Sequence, residues 1–255
     1  MRTNLIKVKK EDLKESPKED VTRNNKLDMV IAFDTTGSMS SYIENVKRHC
    51  IDLVPELLEA NPDMRIGIVA FGDYCDMPSK KEFGKAYQVL PLSNNKSDII
   101  SFIYKAMSTS GGDGDEFYEL VIRKINEETD WREDASKAVL FIADADPHPI
   151  GYSYGSMVQN STIDWIEEAK KAKELGIVYD TLSIGGRPWY KKLSEITGGV
   201  HAPFKSSSKT QHAVKAAIYS KKEVTRGVFE REAKAAMDSS DKELANLYST
   251  YSKSL

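Results

Sequence analysis

Asp34, Thr36 and Ser38 place one carboxylate and two hydroxyls within a single turn of chain. All three are hard oxygen donors, which suit Mg²⁺, Mn²⁺ or Ca²⁺ far better than zinc. Gly37 lets the backbone turn sharply between them. The cluster follows Met29-Val-Ile-Ala-Phe33, a short unbroken apolar run that reads as a buried strand of a parallel sheet. Polar residues directly after such a strand lie at its carboxyl end, where open α/β sheets bind ligands. A plainer reading of the same residues is a strand-to-helix turn whose Ser and Thr cap the next helix.

The pattern Asp34-x-Thr36-x-Ser38 after a buried strand resembles the metal-ion-dependent adhesion site of von Willebrand factor type A domains. The form Asp-Thr-Thr-Gly-Ser-Met39 is similar to the intracellular branch found beside alpha-kinases. The resemblance spans roughly Leu27 to Tyr219 and implies two further metal loops. In the second, Ser108-Thr-Ser-Gly-Gly-Asp113-Gly-Asp115-Glu116, the family carries a threonine after the glycine pair. Here Asp113 stands there, as in the kinase-associated branch, with Thr109 as a fallback ligand. A carboxylate in place of a hydroxyl leaves the cation a weaker electrophile toward a partner's acidic side chain. Asp115 and Glu116 read as acids at the N-terminus of the next helix. The same role for Asp113 is the alternative to metal binding. In the third loop Asp144 matches the family's acid at the strand end, which commonly reaches the ion through a bridging water. His148, between Pro147 and Pro149, reads first as a hydrogen-bonded loop residue and second as a ligand.

These loops need a scaffold that brings them to one rim. Apolar residues at helical spacing from Ser41 to Leu58 predict a helix, broken by Asn61-Pro-Asp63. Arg65–Phe71, Ala138–Ala143 and Ile177–Ile184 read as further buried strands, and Phe83–Leu92 as an antiparallel edge strand. Helices are expected over 94–107, 116–127, 163–175, 189–196 and 209–219, and a short last strand over 199–203. Strands alternating with helices predict a doubly wound, mostly parallel α/β sheet with helices on both faces. Right-handed crossovers then place the strand carboxyl ends on one rim. This is the Rossmann-like architecture the resemblance implies. The expected domain covers residues 27–220. A charged lead-in precedes it over 1–26, with an edge strand at Leu5 to Val8. A helical extension follows over 221–255, interrupted at Ser239-Ser-Asp241.

The 255 residues, 40% hydrophobic and 29% charged, suffice for one large domain with appendages. A net charge of −3 with interspersed signs argues against a nucleic-acid binder. The absence of a long apolar run argues against a membrane span. Cys50 and Cys75 read as free thiols of a cytoplasmic protein. The expected function is a non-catalytic protein-binding module. Its Mg²⁺ (or Mn²⁺ or Ca²⁺) is held by Asp34, Thr36, Ser38, Asp113 and Asp144. A partner's acidic side chain completes the shell, and Tyr42, Asp73, Tyr74, Tyr152 and Tyr154 form the contact rim. The Gly151 to Asn160 insert is an expected contact loop. The alternatives are a Mg²⁺-dependent phosphatase with Asp34 as nucleophile, or a structural, virion-type assembly protein.

Overall fold

A computed structural model of the protein describes residues 26–79, 82–155, 157–160, 162–203, 210–220 and 223–253. The expected strand at Leu5 to Val8 lies outside them. In chain order the elements are β1 (Leu27–Asp34), α1 (Ser40–Ala60), β2 (Met64–Phe71), β3 (Tyr87–Ser93), α2 (Lys96–Lys105), β4 (Asp115–Glu116), α3 (Tyr118–Glu128), β5 (Ser136–Ala143), β6 (Asp146–Pro147), β7 (Ser153–Tyr154), β8 (Met157–Val158), α4 (Trp165–Glu174), β9 (Ile177–Ser183), α5 (Pro188–Thr197), β10 (His201–Pro203), α6 (Thr210–Tyr219), α7 (Glu223–Asp238) and α8 (Lys242–Ser252).

The main sheet runs β10-β9-β5-β1-β2-β3, with every pairing parallel except β2 with β3. Every residue of β1 is buried, as a central strand covered on both faces requires. Its side chains alternate between two cores. Leu27, Met29, Ile31 and Phe33 pack with α1, α2 and α6, while Val30 and Ala32 pack with α3, α4 and α5. Phe229, Leu247, Tyr248 and Tyr251 of α7 and α8 join the first of these cores, so the C-terminal helices lie back on the domain. Asp241 caps α8 through Leu244 N at 3.1 Å, at the interruption the sequence marks.

Two local expectations are corrected. The edge strand begins at Tyr87 rather than Phe83, because Gly84–Ala86 forms a 3-10 turn. The third helix begins at Tyr118, because Asp115 and Glu116 pair in parallel with Asp146 and Pro147 as β4 and β6. That second pairing ties two of the expected metal loops together.

Chain direction fixes where the loops meet. From β1 the chain moves outward to β2 and β3, then returns past β1 to β5 on its other side. The crevice at such a reversal is where doubly wound sheets bind ligands. Phe33 is in register with Ile142, and Asp34 with Phe71. Asp34, Asp144 and Asp73 therefore leave three adjacent strands at nearly the same level.

Candidate metal centre

Asp34 is 0% exposed, and both of its oxygens are engaged. Oδ1 accepts from Thr36 N at 2.6 Å and Thr36 Oγ1 at 2.7 Å. Oδ2 accepts from the Tyr118 hydroxyl at the start of α3, whose oxygen in turn accepts from Ala145 N at 3.2 Å. Thr36 Oγ1 lies 3.2 Å from Ser38 Oγ, and Ser38 Oγ donates to Asp144 Oδ1 at 3.1 Å. The hydroxyls thus bridge the carboxylates of β1 and β5, and four of the five expected ligands form one connected group. The second loop lies against it, with Gly37 N donating to Ser110 O at 3.2 Å. A Cβ on Gly37 would stand 3.2 Å from that same oxygen, so a side chain there would push the loops apart.

Glu116 joins this group, although its sequence position suggests only a helix-terminal acid. It is 3% exposed, and its Oε2 has no hydrogen-bond partner among the described residues. A Cβ on Gly111 would meet Glu116 Oε1 at 2.8 Å and Thr36 Cβ at 3.4 Å, so the carboxylate and Thr36 flank the same glycine. Gly111 also sits at φ +69°, a conformation that favours glycine.

The electrostatics follow from crowding acids away from water. Burial raises the Asp34 carboxyl to about 7 despite hydrogen bonds from Thr36 and Tyr118, and the charge on Asp144 adds to the rise. Burial, then the charges of Asp34, Asp73, Asp144 and Asp76, push Glu116 up to about 10. Asp144 is also raised by burial, against the pull of Ser38 and Arg187. A carboxylate cluster of this kind is stable in its ionised form only beside compensating charge. Arg187 is engaged mainly with Asp146, and Lys85 reaches only to 3.9 Å from Asp76. The donor set of carboxylates, hydroxyls and an unpartnered buried oxygen fits a hard divalent cation. Asp34, Thr36, Ser38, Glu116 and Asp144 would hold it.

Asp113 is engaged elsewhere. Its Oδ2 accepts from Tyr152 OH at 2.9 Å and its Oδ1 from Asp115 N at 3.2 Å. One ligand atom each from Asp113, Asp73 and His148 lie within 4.8 Å of one another. His148, 1% exposed, contacts Asp73 Oδ1 through Nε2 at 2.8 Å and stacks on Tyr152 with ring centroids 3.5 Å apart. Thr109, the fallback ligand, turns to Thr35, 3.0 Å between hydroxyls.

The expected contact rim is only partly on the surface. Asp73 is 0% exposed and Tyr74 is buried, its hydroxyl donating to Glu119 at 2.7 Å. Both support the rim from inside, because His148 and Tyr152 close over them. Tyr42 is half-buried against the core on α1. Tyr154 is 45% exposed, in the small β7–β8 hairpin that the 151–160 insert forms.

Residues 28–221 match the von Willebrand factor type A domain. The chain belongs to that family. At the level of solved structures it is similar to BatB from Bacteroides thetaiotaomicron, with a TM-score of 0.51, 17% identity, 74% of this chain covered and 95% of that one. It is also similar to the pilus adhesin SpaC from Lactobacillus rhamnosus GG in its open conformation. There the TM-score is 0.59 at 14% identity, over 79% of this chain and 30% of the adhesin. Both likenesses concern the fold. An ariadne-like RING finger protein of Acanthamoeba polyphaga mimivirus is 24% identical over 186 residues, 68% of this chain. The chain spans 18% of that relative's length. Von Willebrand factor type A domains commonly mediate protein–protein interaction, and among the described residues no helix is long and apolar enough to cross a membrane.

Proposed function

We propose that this domain binds a protein partner through a divalent cation, Mg²⁺ or Mn²⁺ (or Ca²⁺), held by Asp34, Thr36, Ser38, Glu116 and Asp144. It is an adhesion-site module of the kind found beside alpha-kinases. The observation that carries the reading is the unbroken chain of contacts from Asp34 through Thr36 and Ser38 to Asp144, across the two strands that flank the sheet's reversal point. An ion there neutralises acids that burial otherwise drives toward protonation. A coordination position facing solvent is offered to an acidic side chain of the partner, with Tyr152 and Tyr154 alongside. The acidic rim disfavours nucleic acid. Two free thiols support a reducing, cytoplasmic setting. Non-catalytic binding is favoured over a phosphatase, because no nucleophile–base pair stands beside Asp34, whose hydrogen-bond partners among the described residues are Thr36 and Tyr118.

Calorimetric titration of the metal-stripped chain with Mg²⁺ and Mn²⁺ tests the reading. The wild type binds, Asp34→Ala does not, and a partner captured from lysate in Mg²⁺ is released by EDTA. Equal Mg²⁺ binding by Asp34→Ala would overturn it.

A further inference from the structure

Asp73 leaves the carboxyl end of β2, one strand away from Asp34. His148 follows β6, and Asp113 precedes β4. The β4–β6 pairing and the bond from His148 N to Glu116 O at 3.2 Å hold the last two loops together. The result is an imidazole between two carboxylates, with one ligand atom from each inside a 4.8 Å span. Donors at about 2.1 Å from a tetrahedral ion lie about 3.4 Å apart, so the set closes with a movement on the order of 1 Å. Asp113 is exposed, and its turn toward the ion would exchange its bonds from Tyr152 OH and Asp115 N for the metal.

Three features mark this as a ligand set rather than a structural hydrogen bond. The Asp73 carboxylate is 0% exposed, yet its Oδ2 has no hydrogen-bond partner among the described residues. A buried carboxylate satisfied on one side only is costly unless a cation completes it. The His148 ring is held against that carboxylate by its stacking on Tyr152, its backbone N donates to Glu119 Oε2 at 3.1 Å, and its Nδ1 has no hydrogen-bond partner among the described residues. Finally, one divalent ion among Asp34, Glu116 and Asp144 leaves Asp73, Asp76 and Asp113 along the same rim with no Lys or Arg nearer, among the described residues, than Lys85 at 3.9 Å from Asp76.

We infer that Asp73, Asp113 and His148 form a second metal site that takes a first-row transition-metal ion. The imidazole separates it from the all-oxygen first site, since nitrogen donors favour Zn²⁺, Co²⁺ or Fe²⁺ over Mg²⁺. Three protein ligands leave room for water or an incoming donor. Tyr152 donates to Asp113 and covers His148, so it closes the site on the solvent side. This second ion goes beyond the proposed function and does not depend on it.

The test uses the full chain, stripped of metal, saturated with Mg²⁺ and titrated with Co²⁺ while the visible Co²⁺ spectrum is followed. The wild type develops the absorption bands of a nitrogen-ligated ion, and Zn²⁺ removes them. Asp113→Asn, at an exposed position and with circular dichroism checking its fold, weakens Co²⁺ binding at least about tenfold and leaves calorimetric Mg²⁺ binding intact. His148→Gln does the same, with circular dichroism checking its fold. Asp34→Ala keeps the Co²⁺ bands and loses Mg²⁺, which separates the two sites. The inference is overturned by a wild type that binds no Co²⁺ beside Mg²⁺. It is equally overturned if Asp113→Asn loses Mg²⁺ while keeping the Co²⁺ bands.

Discussion

Replacing Asp34 with asparagine should stabilise the metal-free protein while abolishing its response to Mg²⁺. The amide resembles the protonated acid in shape and in offering one acceptor and one donor side. It removes only the charge. In the folded chain the Asp34 carboxyl is raised from 3.8 to about 7, chiefly by burial. A raised acid contributes its full stability below the unfolded value and loses it as pH climbs toward the folded value. Above about pH 7 the ionised wild type therefore gives up about 4 kcal/mol relative to a neutral side chain. At about pH 5 the loss is less than half of that, and well below 3.8 it vanishes. For a chain of this size, 4 kcal/mol corresponds to roughly 8–16 °C in Tm. Urea denaturation in EDTA at about pH 8 and about pH 4 measures the gap directly. Added Mg²⁺ at a hundredfold its Kd should then raise the wild type by about 2.7 kcal/mol and leave Asp34→Asn unmoved. A variant less stable than wild type at both pH values, or one still stabilised by Mg²⁺, would refute the reasoning.

Other outcomes follow from the same geometry. Glu116→Gln removes an acid raised to about 10, so it should stabilise the EDTA-treated protein at neutral pH and weaken Mg²⁺ binding about tenfold, read by denaturation and calorimetry. Gly111→Ala forces a Cβ to 2.8 Å from Glu116 Oε1 at a positive φ. It should cost more than about 1 kcal/mol, whereas Gly114→Ala, with nothing within 4 Å, should cost less on the same assay. Arg65→Met strips Asp28 of one of its two guanidinium partners, held at 2.7 Å, and should cost about 1–3 kcal/mol at neutral pH, since Arg132 remains, with Mg²⁺ affinity unchanged.

The sheet was plain in the sequence because its central strands are short apolar runs ending in acids or turns. Asp34, Thr36, Ser38 and Asp144 were readable for the same reason, since each sits at or just beyond the end of a run. Glu116 was not, because its partner, β6, is about thirty residues further on, and a two-residue pairing leaves no periodic trace. An acid two residues before a helix reads locally as a dipole partner. Tyr118 did leave a signal. It shares a helical face with Val121, Ile122 and Ile125, and a buried hydroxyl on such a face must find a partner. The direction of Asp113 was not encoded near it, because glycines on both sides permit either course. Nothing around Asp73 and Tyr74 announces that His148 and Tyr152 cover them.

Strand β1 carries an aspartate near each end, and the two are treated oppositely. Asp28 is gripped by Arg65 and Arg132, which outweigh its burial and lower its carboxyl, whereas Asp34 has hydrogen bonds but, among the described residues, no cationic side chain paired with it. Acid therefore slackens the Asp28 end, as pH falls through its depressed folded value, and relaxes the Asp34 end. Without metal, the strand is best anchored in mildly acidic solution. A cation at Asp34, as proposed, would shift that optimum toward neutrality and would stand as the missing counterpart of two arginines at the opposite pole of one eight-residue rod.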